Sequence, residues 1–338
     1  MAHQSLIIKN QNEQSLIKKH DNDIKIKRSS RLEQPIIHLV GGHEEKEIFC
    51  AQFNSTGNII ASAGFDKNIV LWNVYGEISN YGKLSGHKGA ILDLQWSADN
   101  SKIITGSSDK TVGVFDIESG SLIKRFKGHQ SVVNSISFIN KFSTDGIIAS
   151  VSDDHHLKIW DLRQKEAIYD LDLELPLTSV KFSKTGDSLF IASFDESIKV
   201  LDFTTKKINY ELIGHEEAVT GMDISNDGNM LLSYSMDNTL RLWDIKPFSV
   251  NEDRNLIIFE GVPHGFEKNL IKPSFDREDK MIATGCGDRT VMVFNINKKE
   301  LIYKLPGHNG TVNQVHFSPI DNVILSASSD SSLFLGEL

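Results

Sequence analysis

The sequence predicts an all-β chain closed into a seven-bladed propeller. Three observations point there. An aspartate stands six residues before a Trp-like position seven times, Gly-His pairs recur at a related interval, and the apolar periodicity between these markers is two rather than 3.6.

The Gly-His pairs are Gly42-His43, Gly86-His87, Gly128-His129, Gly214-His215 and Gly307-His308, with successive histidine spacings of 44, 42, 86 and 93 residues. The last two intervals are about double, so each hides a degenerate repeat. Trp-Asp-like pairs follow at Trp72-Asn73, Phe115-Asp116, Trp160-Asp161 and Trp243-Asp244. The most regular marker is Asp66, Asp109, Asp154, Asp195, Asp237, Asp288 and Asp330, and it exposes the hidden repeats ending at Leu201-Asp202 and Phe294-Asn295. Seven units over residues 35–338 average about 43 residues, the length of a propeller blade.

Each unit reads as a four-stranded antiparallel sheet. A short strand follows the Gly-His (Ile48–Phe53, Val133–Phe138), then a polar turn such as Asn54-Ser55-Thr56-Gly57. A strand of small and β-branched residues comes next (Ile59–Ala63, Leu231–Ser235), then the Asp turn, then an alternating strand (Ile69–Trp72, Leu240–Trp243). A fourth strand leads to the next repeat, and this rhythm of short strands and Gly/Asp turns is the hairpin signature. The last unit stops at Leu338 after three strands, while Pro35–Val40 precedes the first Gly-His with no blade of its own. Pairing the two closes the ring and removes exposed edges.

Composition narrows the class. Net charge is −9, but residues 1–34 carry seven Lys or Arg against four Asp or Glu, a local +3, leaving −12 on the remainder. Such a body has no general attraction for phosphate backbones. Residues 1–34 read as a flexible basic arm, able to touch RNA or an acidic partner, or simply a solvated tail. No run of 18 apolar residues occurs, and Leu6 to Ile8 is too short for the core of a secretory signal. Cys50 and Cys286 stand far apart in apolar contexts and read as reduced, buried thiols rather than a redox pair or metal site.

The registered Gly-His, Asp and Trp-Asp positions resemble the WD40-repeat family over about nine-tenths of the chain. Three repeats hold a complete quartet: His43, Ser62, Asp66, Trp72; His129, Ser150, Asp154, Trp160; and His215, Ser233, Asp237, Trp243. The resemblance implies that each His bridges the Asp carboxylate and the Ser hydroxyl, which accepts from the Trp indole. A Ser-His-Asp set invites a hydrolase reading, but a nucleophile is singular and this set recurs from blade to blade, so it is read as structural. Other repeats erode it: Phe115 and Phe294 replace Trp, the fourth has Ile191 for Ser and no His, and Gly336-Glu337 end the last. Gly285-Cys286-Gly287-Asp288 precedes a strand rather than a helix and cannot cradle a pyrophosphate, and His155-His156 sit in a turn pointing opposite ways. Neither catalytic residues, cofactor nor metal is expected.

Positions outside the repeat consensus refine the resemblance. They include Ala61-Ser62-Ala63-Gly64-Phe65-Asp66, Leu71 to Gly76, Met236 to Thr239, Trp243 to Phe248, Gly265 to Leu270, Tyr303 to His308 and Leu335 to Leu338. Together they are similar to the WD40-repeat subunits of the U5 small nuclear ribonucleoprotein. That likeness implies a nuclear, non-catalytic scaffold in pre-mRNA splicing, docked on the large central spliceosomal scaffold protein and other U5 particle proteins. RNA association would be mainly indirect, with no membrane and no small-molecule substrate. Docking is expected on the narrow top face, where Phe49, Phe65, Leu92, Phe194, Met236 and Ile271 are candidates, because clustered apolar loop residues mark interfaces. The alternative is a substrate receptor of a cullin-type ubiquitin ligase, cued by Trp160-Asp161-Leu162-Arg163.

Overall fold

The computed structural model describes residues 31–76, 79–139, 146–249 and 253–338. The arm expected over residues 1–34 lies, up to residue 30, outside them. The described residues form twenty-eight strands, numbered β1 to β28 in chain order, in seven four-stranded antiparallel sheets. This is the seven-bladed propeller that the repeat spacing predicts.

The innermost strands are β2 (Ile48–Phe53), β6 (Ile91–Trp96), β10 (Val133–Ile139), β14 (Leu177–Phe182), β18 (Val219–Ile224), β22 (Ser274–Phe275) and β26 (Val312–Phe317). Each packs against the next, and β26 returns to β2. In blade 7, β28 (Leu333–Glu337) pairs with β1 (Ile36–Leu39) from the other end of the chain, register Ile36 to Gly336 and Leu39 to Leu333. The ring therefore closes through the strand expected at Pro35–Val40. Packing starts slightly earlier than the strand, since Leu32 is buried in the cluster that holds Leu39, Leu333 and Leu335.

The structure explains why aspartate is the most faithful marker. In every blade the residue after it has a left-handed backbone: Lys67, Lys110, His155, Glu196, Asn238, Arg289 and Ser331, with φ between 63° and 71°. In every blade the Asp carboxylate also accepts the amide two residues on, at 2.9–3.4 Å. That local bond stabilises a turn that L-residues otherwise disfavour. The aspartate thus has work to do even where its histidine is gone.

A candidate docking face at the channel mouth

The quartet residues meet as hydrogen-bonded chains. His43 Nδ1 lies 3.0 Å from Asp66 and its Nε2 2.7 Å from Ser62 Oγ, which accepts the Trp72 indole N–H at 2.8 Å. His129, Asp154, Ser150 and Trp160 repeat this at 2.9, 2.8 and 2.8 Å. His215, Asp237, Ser233 and Trp243 repeat it at 2.8, 2.7 and 2.8 Å. Burial alone would raise the carboxyl pKa values of Asp66, Asp154 and Asp237, but the histidine bonds prevail and hold them below the usual range. Burial also lowers the His215 pKa despite Asp237, which favours the neutral ring. With Nδ1–H donating to the carboxylate, Nε2 accepts the serine O–H, and every polar atom is satisfied. Ser62, Ser150 and Ser233 are 0% exposed, so no substrate can reach these hydroxyls.

The eroded blades solve the same position differently. In blade 2, Thr105 stands in for serine against His87, at 2.7 Å, with Phe115 in the tryptophan place. In blade 7, His308 is shared between Ser326 and Ser332. Blade 4 is apolar throughout: Leu173, Ile191 and Leu201 join one hydrophobic cluster, and Asp195 pairs with Lys199 instead. In blade 6 the histidine is His264, whose ring packs on Tyr234 of blade 5 with centroids 5.3 Å apart, while Asp288 turns to Lys304. Burial drives His264 down to about 4. Sequence reasoning missed His264 because Pro263, not Gly, precedes it.

Above these networks, on the face carrying the Asp turns and blade-to-blade connections, the geometry becomes selective. The inner strands of six blades carry a bulge at residues 49, 92, 134, 178, 220 and 313. Four of these are polar and stitch one blade to the next: Asn134 to the Leu177 carbonyl, Thr178 to Val219, Thr220 to Ile271 and Asn313 to Ile48. The other two are Phe49 and Leu92. There the polar stitch is replaced by apolar side chains, half-buried around a pocket completed by Lys268, Asn269, Leu270 and Asn313. An apolar concavity with a few polar groups suits one large side chain of a partner.

Phe65 lies on the same face in blade 1, 54% exposed, its amide bonded to the Glu47 carbonyl. Gly64 is needed for that approach, since a Cβ would lie 2.0 Å from the Glu47 oxygen. In six blades the residue before the turn aspartate bonds the carbonyl just ahead of the inner strand, which places Phe194 and Met236 on the same face; in blade 6 Gly287 bonds Pro263 instead. Phe194 is 51% exposed and Met236 half-buried, in blades 4 and 5 away from the pocket. Ile271 is a correction to the expected set. It is 0% exposed, packed with Tyr234, Val262 and Phe275, because the long connection before β22 folds it inward. The pocket residues Lys268 to Leu270 were not among the expected site residues; the clue was the unusual length of that connection.

Among the described residues no group of three or more His, Cys, Asp or Glu side chains could hold a metal ion. His155 faces the Glu174 carbonyl and His156 faces Asp170. Cys50 and Cys286 are free and buried, and burial pushes both thiols to about 12.

Comparison with known proteins agrees with this architecture. The family described as "WD domain, G-beta repeat" matches residues 34–73, 79–116, 120–161, 206–244 and 299–335. The long unmatched stretches, 162–205 and 245–298, hold Leu173, Ile191 and Leu201 of blade 4 and His264, Asp288 and Phe294 of blade 6. The chain is 42% identical to the pre-mRNA-splicing factor cwf17 of Schizosaccharomyces pombe, over 93% of its own length and 90% of that protein. It is 40% identical to the U5 small nuclear ribonucleoprotein 40 kDa protein of Dictyostelium discoideum and 43% to that of Homo sapiens, over 92% of this chain and 86% of each.

Proposed function

The chain belongs to the WD40 repeat family, and from that premise we propose that it is a non-catalytic docking scaffold of the U5 small nuclear ribonucleoprotein, acting in pre-mRNA splicing in the nucleus. The observation that carries this reading is 40–43% identity to splicing proteins along nine-tenths of the chain, blades 4 and 6 included. A fold shared by many functions would not distinguish them.

In this reading residues 35–338 are the docking body, and the large central spliceosomal scaffold protein and other U5 particle proteins are its partners. The pocket at Phe49 and Leu92 receives an apolar anchor from such a protein, and the exposed Phe65 of blade 1 adds to the same face. The acidic body leaves direct RNA contact to the basic arm of residues 1–34. Buried, repeated Ser-His-Asp sets leave no accessible nucleophile there, which supports a role without catalysis. For the ligase alternative no observation speaks: Arg163 of its cue is tied to Asp161 of its own blade. Native purification of the tagged chain tests the proposal. U5 RNA with its proteins is the expected yield; a cullin adaptor without U5 RNA would refute it.

A further inference from the structure

Blade 4 combines two features. Its interior is apolar at Leu173, Ile191 and Leu201, and its top edge also displays apolar side chains. Leu175 is 40% exposed, Phe194 51% and Ile213 72%. The chain holds the three together. The Phe194 amide bonds the carbonyl of Pro176, next to Leu175, and Ile213 directly follows Leu212, which pairs with Ile198 just past the Phe194 turn.

Four exposed carboxylates stand within four residues of them along the chain: Glu174, Glu196, Glu216 and Glu217. Glu174 and Glu196 sit at left-handed positions, φ 66° and 69°, as tips of their turns. Of the nearby cations, Lys199 is committed to Asp195 and Ser197 and His155 to the Glu174 carbonyl, while the half-buried Arg241 guanidinium lies beneath Gly214. Three apolar groups exposed within one acidic rim are costly in water unless something covers them.

We propose that the top of blade 4 is a second docking surface, taking a protein segment in which Lys or Arg flank an aliphatic or aromatic side chain. The apolar centre accepts the anchor and the carboxylates pair with its cations, the complementarity that fixes register and speeds encounter. The acidic rim repels nucleic acid. The surface is separate from the channel-mouth pocket, whose residues come from blades 1, 2, 7 and the connection into 6. The inference therefore stands whether or not the partner is spliceosomal.

The test places a photo-crosslinking amino acid at position 194 of the full chain in cells and sequences the captured peptide. A peptide rich in Lys or Arg around an apolar residue is expected. The E174K/E196K/E216K/E217K variant should cut its yield about tenfold, while crosslinking from position 65 and the thermal melt stay unchanged. An acidic or neutral peptide, an RNA adduct, no adduct, or a yield indifferent to charge reversal would each overturn the proposal.

Discussion

Lys272 Nζ lies 2.7 Å from Asp93 Oδ1 and 2.6 Å from the Leu92 carbonyl, joining the segment entering blade 6 to blade 2 past blades 7 and 1. Asp93 Oδ2 meanwhile accepts from Ser135 Oγ and the Ile136 amide of blade 3. One carboxylate thus braces three blades from inside the channel. Removing one member of a buried pair strands the other charge, so Lys272→Met should destabilise the fold by about 3–5 kcal/mol. Urea unfolding followed by tryptophan fluorescence checks this, and a midpoint equal to wild type would contradict it.

The closing strand makes a second prediction. Leu39 is buried, and His38 stacks on Phe334 with ring centroids 4.5 Å apart. Deleting residues 35–40 leaves the β28 edge and its apolar face open to water. The thermal midpoint should fall by more than about 5 °C. An unchanged melt would show that β1 does not hold the ring.

Blade 4 predicts how the quartets respond to mutation. Ser150→Ala strands the Trp160 indole and His129 Nε2, which should cost about 2–4 kcal/mol. The blade 4 solution is Leu173, Ile191 and Leu201 together. H129L/S150I/W160L, made together, should cost less than the sum of its single changes, since of the quartet only Asp154 then remains, still accepting the Gln130 and His156 amides. Denaturant midpoints for the set give the coupling directly.

His264 predicts acid sensitivity. Burial holds its ring at about 4 against the ordinary 6.5, although backbone groups of Gly265 and Asn269 pull the other way. Below pH 6.5 the unfolded chain takes up a proton that the folded chain refuses. Stability is therefore lost as pH falls from about 6.5 to 4, by on the order of 3 kcal/mol. His316, also lowered to about 4 by burial, acts in the same direction. His264→Leu should flatten this slope between pH 7 and 5; urea midpoints with an unaltered slope would count against it.

These relationships differ in how far a sequence can show them. The Asp66-to-Trp72 spacing repeats because a turn and two paired strands set it locally, so the blade count, the quartets and the strand at Ile36–Leu39 were all readable. Lys272 and Asp93 are 179 residues apart and meet only because the ring closes, which no periodicity encodes. Ile271 was expected on the top face, flanking the first-strand bulge, but a connection longer than in other blades turned it inward. His264 packs on Tyr234 while Asp288 turns to Lys304 and Thr284 to the Gly285 carbonyl, an arrangement visible only in three dimensions.

Docking through the channel mouth rests on Phe49 and Leu92, which replace polar stitches, and on the exposed Phe65. The most direct measurement compares native purifications of the tagged wild type and the F49A/F65A variant, at equal expression and equal thermal midpoint. The expected result is a loss of at least about tenfold in the spliceosomal scaffold protein recovered per tagged chain. Undiminished recovery from a folded variant would contradict it.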